Sequence, residues 1–171
     1  MFPAEADAGS FIAKPRPHPE ATRIHEAYAR RGALAQRYSW FDSGHLFMMQ
    51  EIERRMLATL DRYGMAALES QKILEIGCGS GHWLREFIKW GADPENLTGV
   101  DLLEDRIAQA RRLSPPAVRF INGNAAELEC AGESFDIVLQ VAVFSSMLDA
   151  ALKQKVAAKM VRVLRPGGIV L

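Results

Sequence analysis

Residues 73–84 read ILEIGCGSGHWL. An apolar run carrying one acid, Glu75, enters a bend in which Gly77, Gly79 and Gly81 alternate with the small residues Cys78 and Ser80, and a helix-compatible pattern resumes at His82. A strand that passes into a helix through such a bend has the makings of a ligand site. The helix start offers unpaired N–H groups and the positive end of its dipole, and glycines let a ligand come close to the backbone. In doubly wound folds the crevice at the carboxyl ends of the strands is where ligands bind. A tight turn with no ligand is the alternative use of the same glycines.

Spacing narrows the choice of ligand. A dinucleotide fingerprint needs glycines at i and i+2, then Gly or Ala at i+5. From Gly77 the i+5 residue is His82, and from Gly79 it is Leu84, so neither register fits. A phosphate-binding P-loop needs Gly-Lys-Ser/Thr, and the stretch contains no lysine.

Outward from this loop, strand and helix alternate. Strands are predicted at 72–76, 97–100, 118–121 and 135–141, and another begins at 169–171. Helices are predicted at 81–91, at 103–113 (stopped by Pro115-Pro116) and at 148–164, where Leu148, Leu152, Val156, Met160 and Val163 share one face. The intervening RPGG, 165–168, is expected to turn the chain. Such alternation means a mainly parallel sheet with helices on both faces. Before it, 20–37 is helix-favouring, YSWFDSG (38–44) interrupts, and Leu46, Met49, Ile52, Met56, Leu60 and Tyr63 form the stripe of a second helix stopped by Gly64. Residues 1–19 hold four prolines and little apolar periodicity, the composition of a flexible tail. The expected organisation is therefore a tail (1–19), N-terminal helices (20–70) and an α/β domain (71–171).

Composition limits the function classes. The chain has 171 residues, 49% hydrophobic and 25% charged, enough for one domain with a substantial core. Its formal net charge of zero gives no general attraction for nucleic acid or an anionic membrane. No apolar run approaches the roughly 20 residues of a membrane helix, and the start MFPAEADAGSF carries acids and no apolar signal core. Cys78 and Cys130 lack metal-ligand spacing and read as reduced thiols of a cytoplasmic protein, with no metal expected.

LEIGCGSG (74–81) resembles the first motif of class I S-adenosylmethionine-dependent methyltransferases. LTGVDLLEDRIAQAR (97–111) looks like the second strand of that family, ending in the acid Asp101. FINGNAAEL (120–128), FDIVLQ (135–140) and VLRPGGIVL (163–171) resemble its later segments in the same order. The resemblance covers roughly residues 38–171.

It implies S-adenosylmethionine as methyl donor, held by the loop of Gly77, Cys78, Gly79 and Gly81. It also implies that Glu75 supports the loop and the methionine end, that Asp101 accepts from the ribose hydroxyls and that Leu102 packs on the adenine face. Asn124 and Ala125 would meet the adenine, and Gln140 would line the methyl-donor site. Several bland readings stay open: Glu75 as a buried structural acid, Asp101 as a helix cap, Asn124 as a turn residue and Gln140 as a satisfied strand-end group. His82 and His45 are candidates for a proton acceptor or for local hydrogen bonding. Tyr38, Trp40 and Phe41 are candidates for a lid over the donor or for a contact with the sheet.

No catalytic residue stands out, as methyl transfer by positioning and desolvation allows. The Asn/Asp-Pro-Pro-aromatic motif of amino-group DNA and protein methyltransferases is absent, since strand 4 runs into QVAVFSSM (140–147). A small-molecule acceptor is therefore expected, its reacting atom and the oligomeric state being left open. The family's sheet has seven strands ordered 3-2-1-4-5-7-6, and this sequence ends within strand 5. It reads as truncated, with GIVL (168–171) as an apolar edge. A noncatalytic donor-binding or interaction module is the alternative function, and a nicotinamide oxidoreductase a third.

Overall fold

The computed structural model describes residues 19–31 and 39–171. The expected tail, apart from Pro19, lies outside the described residues, as does Tyr38. In chain order the elements are α1 (Pro19–Arg31), α2 (Ser43–Arg62), β1 (Ile73–Ile76), α3 (His82–Lys89), β2 (Leu97–Asp101), α4 (Glu104–Leu113), β3 (Arg119–Asn122), β4 (Phe135–Gln140), α5 (Val143–Ser146), α6 (Ala150–Val163) and β5 (Leu164–Val170). Short 3-10 turns occupy Pro94–Asn96 and Ala125–Glu127.

The five strands form one sheet in the order β3-β2-β1-β4-β5, with every neighbouring pair parallel. The fold is thus the doubly wound, mainly parallel sheet expected of the methyltransferase type. The central strand β1 is buried along its whole length, and its alternation divides the core between the two faces. Ile73 joins a cluster with Met56 and Leu60 of α2, Trp83, Leu84 and Phe87 of α3, and Ile107 of α4. Leu74 and Ile76 join a second cluster with Ile24 of α1 and Leu152, Val156, Met160 and Val163 of α6. Glu75, two residues from Ile73, therefore faces the α3 side of the sheet.

Both predicted stripes fray at their ends. Leu46 and Tyr63 are exposed while Met56 and Leu60 between them are buried. Leu148 is exposed because α6 starts later than expected: the Asp149 side chain accepts from Ala151 N and Leu152 N, capping the helix at Ala150.

The largest departure is at RPGG. A turn was expected before a strand at 169, but β5 begins at Leu164, directly after α6. Leu164 pairs with Phe135 and Ile169 with Ile137, so residues 165–168 stand opposite Asp136 alone and the ladder bulges on the β5 side. Arg165 holds this bulge, donating from Nη1 to Asp136 Oδ1 at 2.9 Å and from Nε to the Glu133 carbonyl at 3.3 Å. Gly168 fits because a Cβ there would lie 2.7 Å from the Asp136 carbonyl oxygen.

Candidate functional site

The loop from β1 to α3 is anchored to β2 rather than to its own strand. Gly77 N and Cys78 N both donate to the Val100 carbonyl, at 2.7 and 3.1 Å, and Gly81 N closes a turn on the Cys78 carbonyl at 2.8 Å. Gly77, Gly79 and Gly81 all have positive φ (69, 51 and 76°). Gly77 is the most constrained, since a Cβ would stand 2.3 Å from Val143 Cγ2. The loop therefore needs glycine for its backbone angle and for its packing against the start of α5.

Asp101, at the carboxyl end of β2, ties this loop to the next one. Its Oδ2 accepts from Gly79 N at 2.8 Å and its Oδ1 from Leu103 N at 2.9 Å. Burial raises its pKa above the ordinary carboxylate value, against the pull of those two amides. Asn122 braces the backbone behind it, donating from Nδ2 to the Asp101 and Leu102 carbonyls at 3.1 and 3.0 Å. Leu102 is half-buried beside it.

Glu75 is buried, 2% exposed. It accepts a backbone hydrogen bond from Leu84 in the first turn of α3, while its Oε2 has no hydrogen-bond partner. Burial, and next the charge of Asp101, push its carboxyl well above the ordinary range. The neighbouring Cys78 thiol is also pushed far up by burial, so it is not a reactive thiolate. The nearby cation, Arg85, is committed elsewhere: its Nη1 donates to the Ser80 carbonyl at 2.6 Å and to Ser114 Oγ at 3.3 Å. Among the described residues, no Lys, Arg or His side chain hydrogen-bonds or ion-pairs with Glu75 or Asp101.

The remaining predicted site residues also make local bonds. Asn124 is buried, and its Oδ1 accepts from Ala126 N at 3.0 Å, capping the 3-10 turn that carries the buried Ala125. Gln140 Oε1 accepts from Val143 N at 3.1 Å and Phe144 N at 3.4 Å, fixing the start of α5 beyond β4. The structure thus brings Glu75, the glycines, Asp101, Leu102, Asn124, Ala125 and Gln140 to the carboxyl ends of β1 to β4. The bland roles of Asn124 and Gln140 are filled as well.

His82 and His45 flank the Trp40 ring, with centroids 5.3 and 5.4 Å away, and His82 also meets the Trp83 ring edge-on at 4.9 Å. Burial lowers the pKa of His82, which favours the neutral imidazole. Trp40 therefore contacts the first residue of α3, and Phe41 is fully exposed. A cleft of about 170 Å³ opens here, lined by Trp40, Met49, Gln50, Glu53, His82 and Glu86 among others. It includes neither Glu75 nor Asp101, and its acids are balanced by Lys89, 2.6 Å from both Glu53 and Glu86.

Sequence reasoning missed Val143, Phe120 and Asn122. Val143 and Phe120 form the walls against Gly77 and Gly81, a Cβ on Gly81 standing 3.0 Å from Phe120 Cζ. Both are contacts across long stretches of chain that carry no local signal. Asn122 could have been found, because it sits in the quoted FINGN segment one residue past the predicted strand.

The residues present fit a cationic donor. Two buried or half-buried acids stand at adjacent strand ends around a backbone cradle, neither is ion-paired with a cation among the described residues, and Glu75 Oε2 is unpartnered. Among the described residues no group of His, Cys, Asp and Glu side chains could hold a metal ion, and no helix is long and apolar enough to cross a membrane.

Comparison with known proteins agrees with this geometry. A family model described as a methyltransferase domain matches residues 73–168. A ubiquinone biosynthesis O-methyltransferase from Rhizobium leguminosarum bv. trifolii is 37% identical over 106 residues, which are 60% of this chain and 40% of that protein. A phthiotriol/phenolphthiotriol dimycocerosates methyltransferase from Mycobacterium ulcerans is 35% identical over 111 residues, 61% of this chain and 37% of that protein. Among solved structures, a SAM-dependent methyltransferase from Methanosarcina mazei aligns with a TM-score of 0.53 at 30% identity, covering 60% of this chain and 51% of that one. The chain spans about two fifths of the length of the curated relatives it matches. With the family model covering more than half of its residues and the glycine loop in its expected setting, the chain belongs to the methyltransferase-domain family, whose methyl donor is S-adenosylmethionine.

Proposed function

We propose that this chain supplies the donor site of an enzyme that methylates a small molecule, with S-adenosylmethionine bound across the carboxyl ends of β1, β2 and β4. The carrying observation is the pair Glu75 and Asp101, two acids without a cation on either side of a glycine loop. Bound there, the donor supplies an electrophilic methyl group on a sulfonium. The loop of Gly77, Cys78, Gly79 and Gly81 forms its cradle. Asp101 serves the ribose hydroxyls through the acceptor capacity that Gly79 and Leu103 leave free, and Leu102 packs on the adenine face. Asn124 and Ala125 border the adenine, and Gln140 borders the methyl group. Trp40, whose ring tilts against His82 one residue past Gly81, serves as a lid at that end of the loop.

Positioning and water exclusion account for the rate, without an assigned base. A hydroxyl is the first acceptor class to test, because one of the relatives is named for O-methylation. Zero net charge supports a small-molecule acceptor over a nucleic acid, and two free thiols support a cytoplasmic setting. The test is transfer of a labelled methyl group from S-adenosylmethionine to a panel of phenols, amines and carboxylates. Labelled product from at least one class is expected. Donor binding with no product from any class would favour the noncatalytic module.

A further inference from the structure

The loop's two acids raise a question that donor binding alone does not answer: what balances them when no cation among the described residues is ion-paired with either. Glu75 is 2% exposed, lies on the α3 face of β1 and leaves Oε2 without a partner. The groups facing it are Asp101 from β2, Arg85 and the Leu84 amide from α3, and Cys78 from the loop. Asp101 adds negative charge. Arg85 spends its near hydrogen bonds on Ser80 and Ser114. The Cys78 thiol stays protonated and supplies no charge. One amide hydrogen bond does not stabilise a fully buried carboxylate against that repulsion.

We propose that Glu75 is a neutral carboxylic acid in the free protein and gives up its proton when the cationic donor binds, so that donor binding releases a proton. This rests on the donor-site reading above. The physical reason is linkage. A ligand bearing a sulfonium and an ammonium group lowers the pKa of an acid it approaches, and an acid that must ionise weakens binding at low pH. The proton passes from the Glu75 carboxyl to buffer, and no other bond changes. The direction agrees with the raised pKa that burial and Asp101 impose on Glu75. Where Glu75 is protonated in the free protein, affinity falls about tenfold for each pH unit of acidification.

The experiment is calorimetric titration of the whole chain with S-adenosylmethionine at several pH values between about 5 and 8, each in two buffers of different ionisation enthalpy. The expected result is a binding heat that differs between buffers, the difference growing toward the amount for release of one proton as pH falls, and a Glu75→Gln chain that binds with buffer-independent heat. Wild-type heat that is the same in both buffers overturns the proposal, and so does an undiminished buffer dependence in Glu75→Gln. Absence of any binding by a folded sample overturns the donor reading itself and this inference with it. Should Glu75→Gln fail to fold, the infrared difference spectrum of the wild type decides. A protonated-carboxyl band that disappears on adding donor is expected, and its absence in the free protein overturns the proposal.

Discussion

Two glutamates that the fold buries, Glu20 in α1 and Glu75 in β1, are treated in opposite ways. Glu20 is enclosed by donors. Arg23 pairs with both of its oxygens at 2.8 Å, and the Leu148 and Asp149 amides donate to its Oε1. Arg23 also donates to the Ser146 carbonyl, and Tyr28 OH lies 3.3 Å from Ser146 Oγ. The carboxyl of Glu20 is accordingly lowered to about 2, chiefly by its hydrogen bond with Arg23. Glu75 has one amide and a repelling neighbour, and its carboxyl is raised. The first arrangement fastens α1 to the α5–α6 connection and is complete within the protein. The second is incomplete until something cationic arrives. A buried acid left without partners points to function where a fully partnered one points to structure.

The largest expected effect comes from breaking the loop that surrounds the unsatisfied acid. Gly77→Ala adds left-handed strain of ~1–2 kcal/mol and overpacking of ~1–3 kcal/mol against Val143, so a loss of about 3 kcal/mol in urea unfolding is expected. Gly99→Ala should cost less, about 2 kcal/mol, because its φ is unstrained and the clash is with Cys78 Sγ at 2.8 Å and Leu84 Cδ1 at 2.9 Å, two side chains under α3. Glu20→Gln is expected to lose about 1.5 kcal/mol at neutral pH, the lower end for hydrogen bonds to a charged group.

The pH dependences sharpen the contrast further, as slopes more than as steps. Glu20 has a folded pKa below its unfolded 4.5, so its contribution is present above pH 4.5 and is lost as pH falls through about 2. Glu75 has a folded pKa above 4.5, so its contribution is intact below pH 4.5 and is lost as pH rises through the folded value. In denaturant melts against pH, Glu20→Gln should therefore flatten the acid limb. Glu75→Gln should flatten the fall in stability that begins above pH 4.5, and the two effects trading places would undo the contrast.

Local chemistry made much of this legible in the sequence. β1, β2 and β4 announce themselves as apolar runs, and the alternating glycines name the loop between β1 and α3. The acid ending β2 is visible as Asp101. Less legible were features set by contacts between distant segments. Whether Glu75 is paired depends on where Arg85 and Ser114 come to rest, 29 residues apart. The bulge at 165–168 depends on Asp136 and Glu133 in and before another strand, so RPGG read alone suggests only a turn. The seam at Glu20 joins residues more than 120 apart, and a helix-favouring stretch gives no sign of it.

The central claim is that the acids at the ends of β1 and β2 hold S-adenosylmethionine, and the most direct measurement is a binding titration of the wild-type chain beside Asp101→Ala. Saturable binding by the wild type is expected, with binding at least about tenfold weaker in a folded Asp101→Ala chain, as loss of a charge-assisted hydrogen bond implies, and no competition from NAD. A folded wild-type chain that binds neither the donor nor its demethylated product, or that prefers NAD, would contradict that claim.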